Sequence, residues 1–299
     1  MARIFDSVGK VPMPSSREKL LLSRRRFLQL CGVSVFAGAG TFPYALFVEP
    51  HWLQMVRRRL PIANLPSGLA GRRLVQLSDI HIGPQVDDTY LLQTFRRVEA
   101  TSPDLVVYTG DFITHEAGII EHARRIIASL PHGRIGTFAI LGNHDYGNTW
   151  KNVQEADRVA ELVSGAGIRV LRNEIANVAG LQLVGLDDLW AERSIPAEAF
   201  RGLETREASL VLTHNPDSVD TPGWDRYSGW ILAGHTHGGQ CKPPFLPPPL
   251  LPVANKRYTA GVVELTGGRR LYINRGIGHL LEARFNVRPE VTEFTLERA

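Results

Sequence analysis

Short apolar runs alternate with amphipathic stretches along most of the chain. Leu74–Leu77 and Leu105–Tyr108 have the length of buried strands, whereas residues 88–100 carry apolar side chains at helical spacing. Residues 258–276 predict a hairpin that turns at Gly267–Gly268. Further helices are predicted over 116–130 and 148–167, and further strands within 136–143, 167–172, 181–186, 209–215, 229–235 and 291–297. This alternation predicts an α/β fold in which helix layers cover the sheets.

Polar side chains follow five of the predicted strands, directly after the apolar run ends. They are Asp79, Asp111, Asn143, His214 and His235. One polar residue after a strand needs no special explanation, but five residues that can all bind a metal do. Because open α/β sheets bind ligands at the carboxyl ends of their strands, we expect these side chains to share one site.

Two of these residues begin pairs of potential ligands that are separated by a single position. The pairs are Asp79 with His81, and His235 with His237. Residues i and i+2 of an extended segment point to the same side, so both members of a pair can reach one site. An isolated His-x-His pair is more often part of a surface loop. The strand-end pattern favours the ligand interpretation here.

The candidate ligands are carboxylates, one amide and imidazoles, with no sulfur among them. This set suits Mn, Fe, Zn or Mg. Seven side chains are too many for one tetrahedral zinc, but they suit two divalent ions about 3.5–4 Å apart that share a carboxylate and act on phosphorus. The chain has only two cysteines, Cys31 and Cys241, which excludes a thiolate metal cage and a disulfide framework.

Five short blocks of the chain carry a family resemblance. They are DIH at 79–81, GD at 110–111, GNHD at 142–145, TH at 213–214 and GHTH at 234–237. In this order they resemble the calcineurin-like metallophosphoesterase family, and the segments 49–52 and 271–279 resemble a membrane-associated subgroup of it. The resemblance implies a four-layer α/β/β/α sandwich with a dinuclear metal site at the carboxyl edge of the sheets.

The resemblance also implies a role for each site residue. One divalent ion would be held by Asp79, His81, Asp111 and His237, and the other by Asp111, Asn143, His214 and His235, with Asp111 bridging. His144 is not a ligand in this family and would protonate the leaving oxygen, oriented by Asp145. The nucleophile would be a hydroxide activated by both ions, since coordination lowers the pKa of water to around 7.

The N-terminal segment has the features of an export signal. Ser23–Leu28 resembles a twin-arginine signal, and an almost uncharged run extends from Phe27 to Val48. Ala37–Ala39 offers a cleavage site, but an uncut run is long enough to span a bilayer. We therefore expect a signal or membrane anchor over 1–48 and a metallophosphoesterase domain over 49–299. Twin-arginine export would place that domain on the periplasmic side of a bacterial cell membrane.

The basic residues of the chain are concentrated in this leader. Residues 1–46 contain seven Lys or Arg against two acidic residues, so the rest of the chain is close to neutral although the total is +4. A nucleic-acid-binding body would carry its own basic face, and this distribution predicts no nucleic-acid partner.

The predicted activity is hydrolysis of a phosphoester or pyrophosphate bond. Membrane targeting favours a lipid-linked substrate, such as the diacylglucosamine nucleotides that some similar family members cleave. The alternatives are a soluble phosphomonoesterase or cyclic-nucleotide phosphodiesterase, and a structural metal-binding protein without activity. Structural metal sites are closed by protein ligands, whereas this ligand set leaves positions for water, which favours an enzyme.

A proline-rich segment follows the last predicted ligand. Pro243–Pro252 contains six prolines, which exclude a helix or a central strand. Its apolar residues Phe245, Leu246, Leu250 and Leu251 either pack back against the domain or form an apolar lip that contacts a bilayer beside the site.

Overall fold

The computed structural model describes residues 40–114 and 118–299 of the chain. The twin-arginine motif at 23–28 and most of the predicted leader lie outside the described residues, as do the first two residues of the helix predicted over 116–130. Pro43–Ala299 forms one compact unit. Within the described part of the chain, no helix has the length and apolar character needed to cross a membrane.

The elements of this unit alternate largely as the apolar pattern predicts. The strands are β1 (Gln54–Ile62), β2 (Arg73–Leu77), β3 (Leu105–Thr109), β4 (Gly136–Ile140), β5 (Arg169–Val170), β6 (Glu174–Val178), β7 (Leu181–Gly185), β8 (Ala208–Leu212), β9 (Trp230–Ala233), β10 (Gly261–Glu264), β11 (Arg270–Ile273) and β12 (Glu290–Arg298). The helices that pack on them are α1 (Asp88–Glu99), α2 (Ile119–Ile127), α3 (Val153–Gly165) and α4 (Pro196–Ala199). Every strand predicted above is present, as is the β10–β11 hairpin.

The strands form two six-stranded mixed sheets. In the first, of order β1-β12-β2-β3-β4-β5, strands β2 to β5 are parallel and β12 runs antiparallel to β2. In the second, of order β10-β11-β9-β8-β7-β6, the four central strands are parallel and both edge strands are antiparallel. Each sheet therefore has one edge at which the carboxyl ends of its parallel strands meet.

Side chains of the central strands alternate between two apolar cores. In β3, Val106 and Tyr108 pack with α1, α2 and α3, whereas Leu105 and Val107 pack in the core between the sheets. The outer face of the second sheet packs against Phe200, which follows α4 directly, and against neighbouring loops. The order of layers confirms the predicted α/β/β/α sandwich, although its fourth layer contains only short helical turns.

One helix begins later than its apolar pattern predicts, and the difference changes the site. Helix α3 starts at Val153 because the Asn152 side chain accepts hydrogen bonds from two backbone amides of the first turn, as an N-cap. The residues from 148 to 152, which the pattern placed in the helix, form a turn and loop instead. Trp150 lies in that loop.

Candidate metal centre and active site

The predicted ligands lie together at the carboxyl edges of both sheets. Asp79 and Asp111 follow β2 and β3, whereas His214 and His235 follow β8 and β9. The seven residues, none more than 5% exposed, are Asp79, His81, Asp111, Asn143, His214, His235 and His237. The fold therefore collects the seven side chains into one buried cluster with two parts.

Asp79, His81 and His237 face one another in the first part. The Nε2 atoms of His81 and His237 are 3.1 Å apart, and His237 Nε2 is 3.5 Å from Asp79 Oδ1. Ligand atoms on one ion, with bonds of about 2.0–2.2 Å, are separated by up to about 4.4 Å. The measured distances therefore fit three ligands of one divalent ion.

Asp111, His214 and His235 form the second part, with Asn143 beside them. The Nε2 atom of His214 lies 3.1 Å from Asp111 Oδ2 and 3.2 Å from His235 Nδ1. The amide oxygen of Asn143 is also 3.2 Å from His214 Nε2. These four donors converge in the same way as the first three.

Asp111 lies between the two parts. Its Oδ2 atom is 3.1 Å from His214 Nε2 and 3.6 Å from His81 Nε2, so one oxygen faces a ligand of each part. The donors are hard oxygens and imidazoles, which suit first-row divalent ions or magnesium. The residues present therefore fit a pair of divalent ions that share the Asp111 carboxylate.

Burial keeps most of these imidazoles neutral. It lowers the pKa of His81 and His237 well below the usual range and that of His235 to about 3. Neutral imidazole is the form that binds metals. The lowered pKa values therefore keep these three histidines neutral, as metal ligands must be.

His214 and Asp111 form an ion pair in the metal-free protein. Burial opposes charge on both groups, but the carboxylate of Asp111 outweighs it and raises the pKa of His214 to about 10. In return, the His214 imidazolium holds the pKa of Asp111 well below its usual range despite burial. Burial raises the pKa of Asp79 to about 7, although His214 acts in the opposite direction.

Several ligands hold a backbone conformation that is uncommon outside glycine. The φ angles are 50° for Asp79, 52° for His81, 57° for Asp111, 71° for His235 and 49° for His237. Such conformations persist where the surrounding structure determines them, and they cluster at functional sites. Gly110, with φ 90°, has no space for a side chain, because a Cβ there would lie 2.7 Å from His214 Nδ1.

The second nitrogen of each imidazole ligand has its own contact. The contacts are Thr114 Oγ1 with His81 Nδ1 (3.0 Å), Thr109 O with His214 Nδ1 (2.7 Å) and Pro252 O with His235 Nε2 (2.8 Å). Such contacts fix the tautomer and orientation of a metal-binding histidine. His237 differs, because its Nδ1 lies 3.4 Å from Nη2 of Arg284.

Arg284 is a fully buried cation that the sequence analysis did not single out. Its guanidinium donates hydrogen bonds to the backbone oxygens of Arg275, Gly278 and Val287. Burial lowers its pKa to about 10. Arg284 therefore holds the loop around residues 275–287 together behind His237.

The predicted contact between Asp145 and the His144 imidazole is absent. The two carboxylate oxygens of Asp145 accept hydrogen bonds from the backbone amides of Asp111, Phe112, Ile113 and Gly142. Both residues lie in the 3-10 turn Asn143–Tyr146, where successive side chains diverge. Asp145 therefore positions the backbone around the ligand Asp111, and the proposed orientation of His144 by this carboxylate is wrong.

His144 itself lies next to the ligands. Its ring is 5.0 Å from that of His81, and its backbone amide donates to Asp111 Oδ1 at 2.9 Å. The side chain is partly exposed and lines a cavity over the ligands. This is a suitable place for a proton donor, and the catalytic role stays a prediction.

The cavity above the ligands has a volume of about 430 Å³. Asp111, His235 and His237 form its floor, with His144 beside them. Its lining includes a set of aliphatic residues, here called the apolar wall: Pro249, Leu250, Leu280, Leu281 and Ala283. The candidate ligands of the floor therefore lie beside an apolar surface in the same cavity.

The proline-rich segment borders this cavity without forming a helix or a strand, as predicted. Phe245, Leu246 and Leu250 are exposed, with Leu250 at 74% and Phe245 fully accessible. The alternative in which the four side chains pack back against the domain is therefore wrong for these three, whereas Leu251 is half-buried. Together the three exposed side chains form an apolar lip beside the cavity.

Two tryptophans of the cavity were missed by the sequence analysis. Trp150 lies in the loop that the apolar pattern assigned to a helix, and Trp190 follows β7. The signal for Trp190 was present, because Asp187 and Asp188 repeat the pattern of polar residues after an apolar strand. Asp188 is fully buried, and its charge contributes to the raised pKa of His214.

The family model of the calcineurin-like phosphoesterases matches residues 72–239. This stretch covers more than half of the chain and contains all seven candidate ligands and His144. The chain belongs to the calcineurin-like phosphoesterase family. It is a metal-dependent hydrolase of phosphoester bonds, and the interpretation as a structural metal protein falls away.

Curated relatives match almost the whole chain. Phosphodiesterase YaeI of Escherichia coli is 35% identical over 92% of this chain and 100% of its own length. The metallophosphoesterase YkuE of Bacillus subtilis is 32% identical over 92% of this chain and 98% of its own. UDP-2,3-diacylglucosamine pyrophosphatase LpxG of Chlamydia trachomatis is 26% identical over 84% of this chain and 91% of its own.

Proposed function

We propose that this calcineurin-like phosphoesterase cleaves a phosphodiester or pyrophosphate bond in a lipid-linked substrate. The observation that carries the proposal is the apolar wall, which shares one cavity with Asp111, His235 and His237. A small soluble phosphoester has little aliphatic surface to place there. An acyl chain gains roughly 0.8 kcal/mol for each CH₂ that leaves water.

The reaction class follows from the residues of the floor. Two bound divalent ions would supply Lewis-acid charge to the phosphoryl oxygens and lower the pKa of water. Asp111, which faces both ligand sets, would fix their spacing. His144 can donate a proton to the leaving oxygen, because its partly exposed ring adjoins the ligand His81.

The apolar lip extends the same surface away from the floor. Leu250 belongs to both the wall and the lip, so the two are continuous. Exposed apolar patches of this kind beside a site mark contact with a ligand or a membrane. We infer that the lip enters the bilayer surface and admits the acyl part of the substrate to the cavity.

The start of the compact unit lies beside this surface. The backbone oxygen of Ala45 accepts a hydrogen bond from the Arg284 amide at 2.9 Å, next to the apolar wall, and Phe47 is 69% exposed. The last residues of the predicted leader, 43–48, therefore belong to the compact unit and lie beside the apolar wall. Twin-arginine export, if used, would put this face against the periplasmic side of the cell membrane.

The names of two relatives support the bond type. YaeI is described as a phosphodiesterase and LpxG as a pyrophosphatase of a diacylated sugar nucleotide. Both names concern a phosphorus with two substituents, and the second concerns an acylated substrate. They favour a phosphodiester or pyrophosphate over a phosphomonoester for this chain.

The test compares the full-length protein with its variant F245S/L246S/L250S on two substrates. One substrate is a diacylated sugar pyrophosphate in phospholipid vesicles, and the other is bis(p-nitrophenyl) phosphate in solution. We expect kcat/KM on vesicles to fall by at least about tenfold, since each buried Leu or Phe contributes roughly 1.5–3 kcal/mol. Hydrolysis of the soluble diester should change far less, because Phe245 and Leu246 lie outside the cavity lining and only Leu250 belongs to it.

A matched control removes exposed apolar residues elsewhere. Ile135, Ile195 and Val262 are 38–46% exposed and do not line the cavity, so their replacement by serine should leave both rates unchanged. Equal activity of the lip variant and the native protein on vesicles would contradict the proposal and favour a soluble phosphodiesterase. Loss of both activities with a lowered melting temperature would assign the lip to folding.

A further inference from the structure

Trp150 and Trp190 form an aromatic pair within the cavity. Their ring centroids are 4.7 Å apart, with an angle of 30° between the planes. Both line the cavity over the floor, and Trp150 remains 38% exposed. The pair therefore presents accessible π-surface in a cavity whose remaining lining combines candidate ligands and polar residues with the apolar wall.

The pair is placed between the candidate acid and a candidate ligand. The Trp190 ring meets the His235 ring edge-on at 4.4 Å, and the Trp150 ring lies 6.2 Å from that of His144. In the proposed function, His144 donates the proton to the leaving oxygen. A substituent attached through that oxygen would consequently extend along the tryptophan pair.

The backbone of Trp150 adopts a conformation that is uncommon for a bulky residue. Its φ is 58°, in the left-handed region that bulky residues rarely adopt, and its amide donates to Gly147 O at 3.0 Å. Strain of this kind persists at functional sites, where the surrounding structure holds it.

We infer that Trp150 and Trp190 are a stacking platform for a flat ring of the substrate, attached through the oxygen that His144 faces. The ring would be a nucleobase or another planar group. This inference rests on the proposed function for the phosphorus chemistry, but it does not depend on the lipid. It divides the cavity into an aromatic part for a ring and the apolar wall for acyl chains.

The experiment uses two soluble probes of matched size, benzyl phosphate and cyclohexylmethyl phosphate. Each is measured as a competitive inhibitor of bis(p-nitrophenyl) phosphate hydrolysis, and by calorimetry with the metal-loaded protein. Only the benzyl ring is flat. We expect the native protein to bind benzyl phosphate about 3- to 10-fold more tightly, the range expected for one aromatic stacking contact.

Trp150→Leu and Trp190→Leu should each reduce the ratio of the two affinities toward one. Trp150→Phe should retain most of the preference for benzyl phosphate. Trp52→Leu is the matched control, because Trp52 is 51% exposed and lies outside the cavity. It should leave the ratio unchanged. Circular dichroism of each variant separates loss of the platform from loss of the fold.

Equal affinities of the native protein for both probes would overturn the inference, as would a preference that survives both leucine substitutions. Neither probe carries an acyl chain, so the ratio is independent of the vesicle assay. A protein that prefers the flat probe but ignores lipid substrates would refute the lipid proposal and keep the platform. The converse result would keep the lipid proposal alone.

Discussion

Two regions of the cavity differ in how their side chains are held. One is the floor, taken here to include all seven candidate ligands, and the other is the border, which consists of the apolar wall and the apolar lip. Each ligand on the floor is at most 5% exposed, and the histidine nitrogens face other ligands, backbone oxygens, Thr114 Oγ1 or Arg284 Nη2. At the border, Leu250 is 74% exposed and Leu281 67% exposed, with no polar atoms to hold either side chain in place. In the proposed function, the floor carries out the reaction and the border selects the molecule that reaches it.

The difference has a physical origin in the fold. Floor residues follow parallel strands of two packed sheets, so their positions are set by the sheets themselves. Border residues lie in loops, such as the proline-rich segment, whose sequence can change without disturbing the cores. One family of folds can therefore keep one reaction and vary its substrates.

Replacement of the shared carboxylate of Asp111 should disrupt the metal centre and leave the apolar wall and the apolar lip intact. In Asp111→Asn the neutral amide cannot bridge two cations, so we expect activity to be abolished. Bound metal, measured by atomic emission, should fall from two ions per chain to one or fewer. Vesicle binding should stay unchanged, because the apolar lip is untouched.

A second buried aspartate provides the control. Asp104 is 3% exposed and accepts a hydrogen bond from the Arg73 amide near the start of β3, away from the ligands. Asp104→Asn should retain both ions even if the protein is less stable. Two fully occupied metal sites in Asp111→Asn would refute the bridging assignment.

The same contrast separates what the sequence could predict from what it could not. Asp79 and His235 were predictable, because a metal-capable residue at the end of an apolar strand is a pattern in the chain itself. Trp150 was not, because the cap at Asn152 moved the start of α3 and turned a predicted helical residue into a loop residue. Loop conformation depends on such local contacts, which periodicity does not record.

Strand β6 and the side-chain contacts of Asp145 show two further limits of prediction from the sequence. Glu174–Val178 is a short edge strand whose exposed residues interrupt the apolar run, so its pattern is too weak to predict. Asp145 adjoins His144 in sequence, but in a 3-10 turn adjacent side chains point about 120° apart. Sequence neighbours are therefore poor evidence for side-chain contact within a tight turn.

His144 lies beside the candidate ligands at the side of the cavity. Its replacement should slow the reaction without releasing the bound metal ions. His144→Ala should keep both ions and reduce kcat by about 10²–10⁴-fold on substrates with an alkoxide leaving group, the usual range for general acid catalysis. A nitrophenolate leaves without a proton, so its release should be reduced far less. The ratio of the two rates in native and variant protein is the measurement, and an equal loss on both substrates would count against the acid role.

The smallest expected effect is a dependence of metal affinity on pH, which involves only the candidate metal ligands. Asp111 raises the pKa of His214 to about 10 in the metal-free protein, against the effect of burial. A ligand imidazole must be neutral, so an ion that binds the second part displaces this proton. Raising the pH makes that step easier, and between pH 8 and pH 9 the affinity should rise by about tenfold.

Calorimetric titration of Mn²⁺ into the metal-free protein, in two buffers of different ionisation enthalpy, measures the protons released. At pH 8 we expect release of about one proton, from His214, because Asp79, with its pKa raised by burial to about 7, is by then largely ionised. At pH 6 the release should be larger, since Asp79 must also lose a proton before it can bind. Trp150→Leu changes only the cavity lining and should give the same proton count as the native protein. A count of zero at pH 8 would mean that His214 is already neutral, and the ion pair with Asp111 would then have to be abandoned.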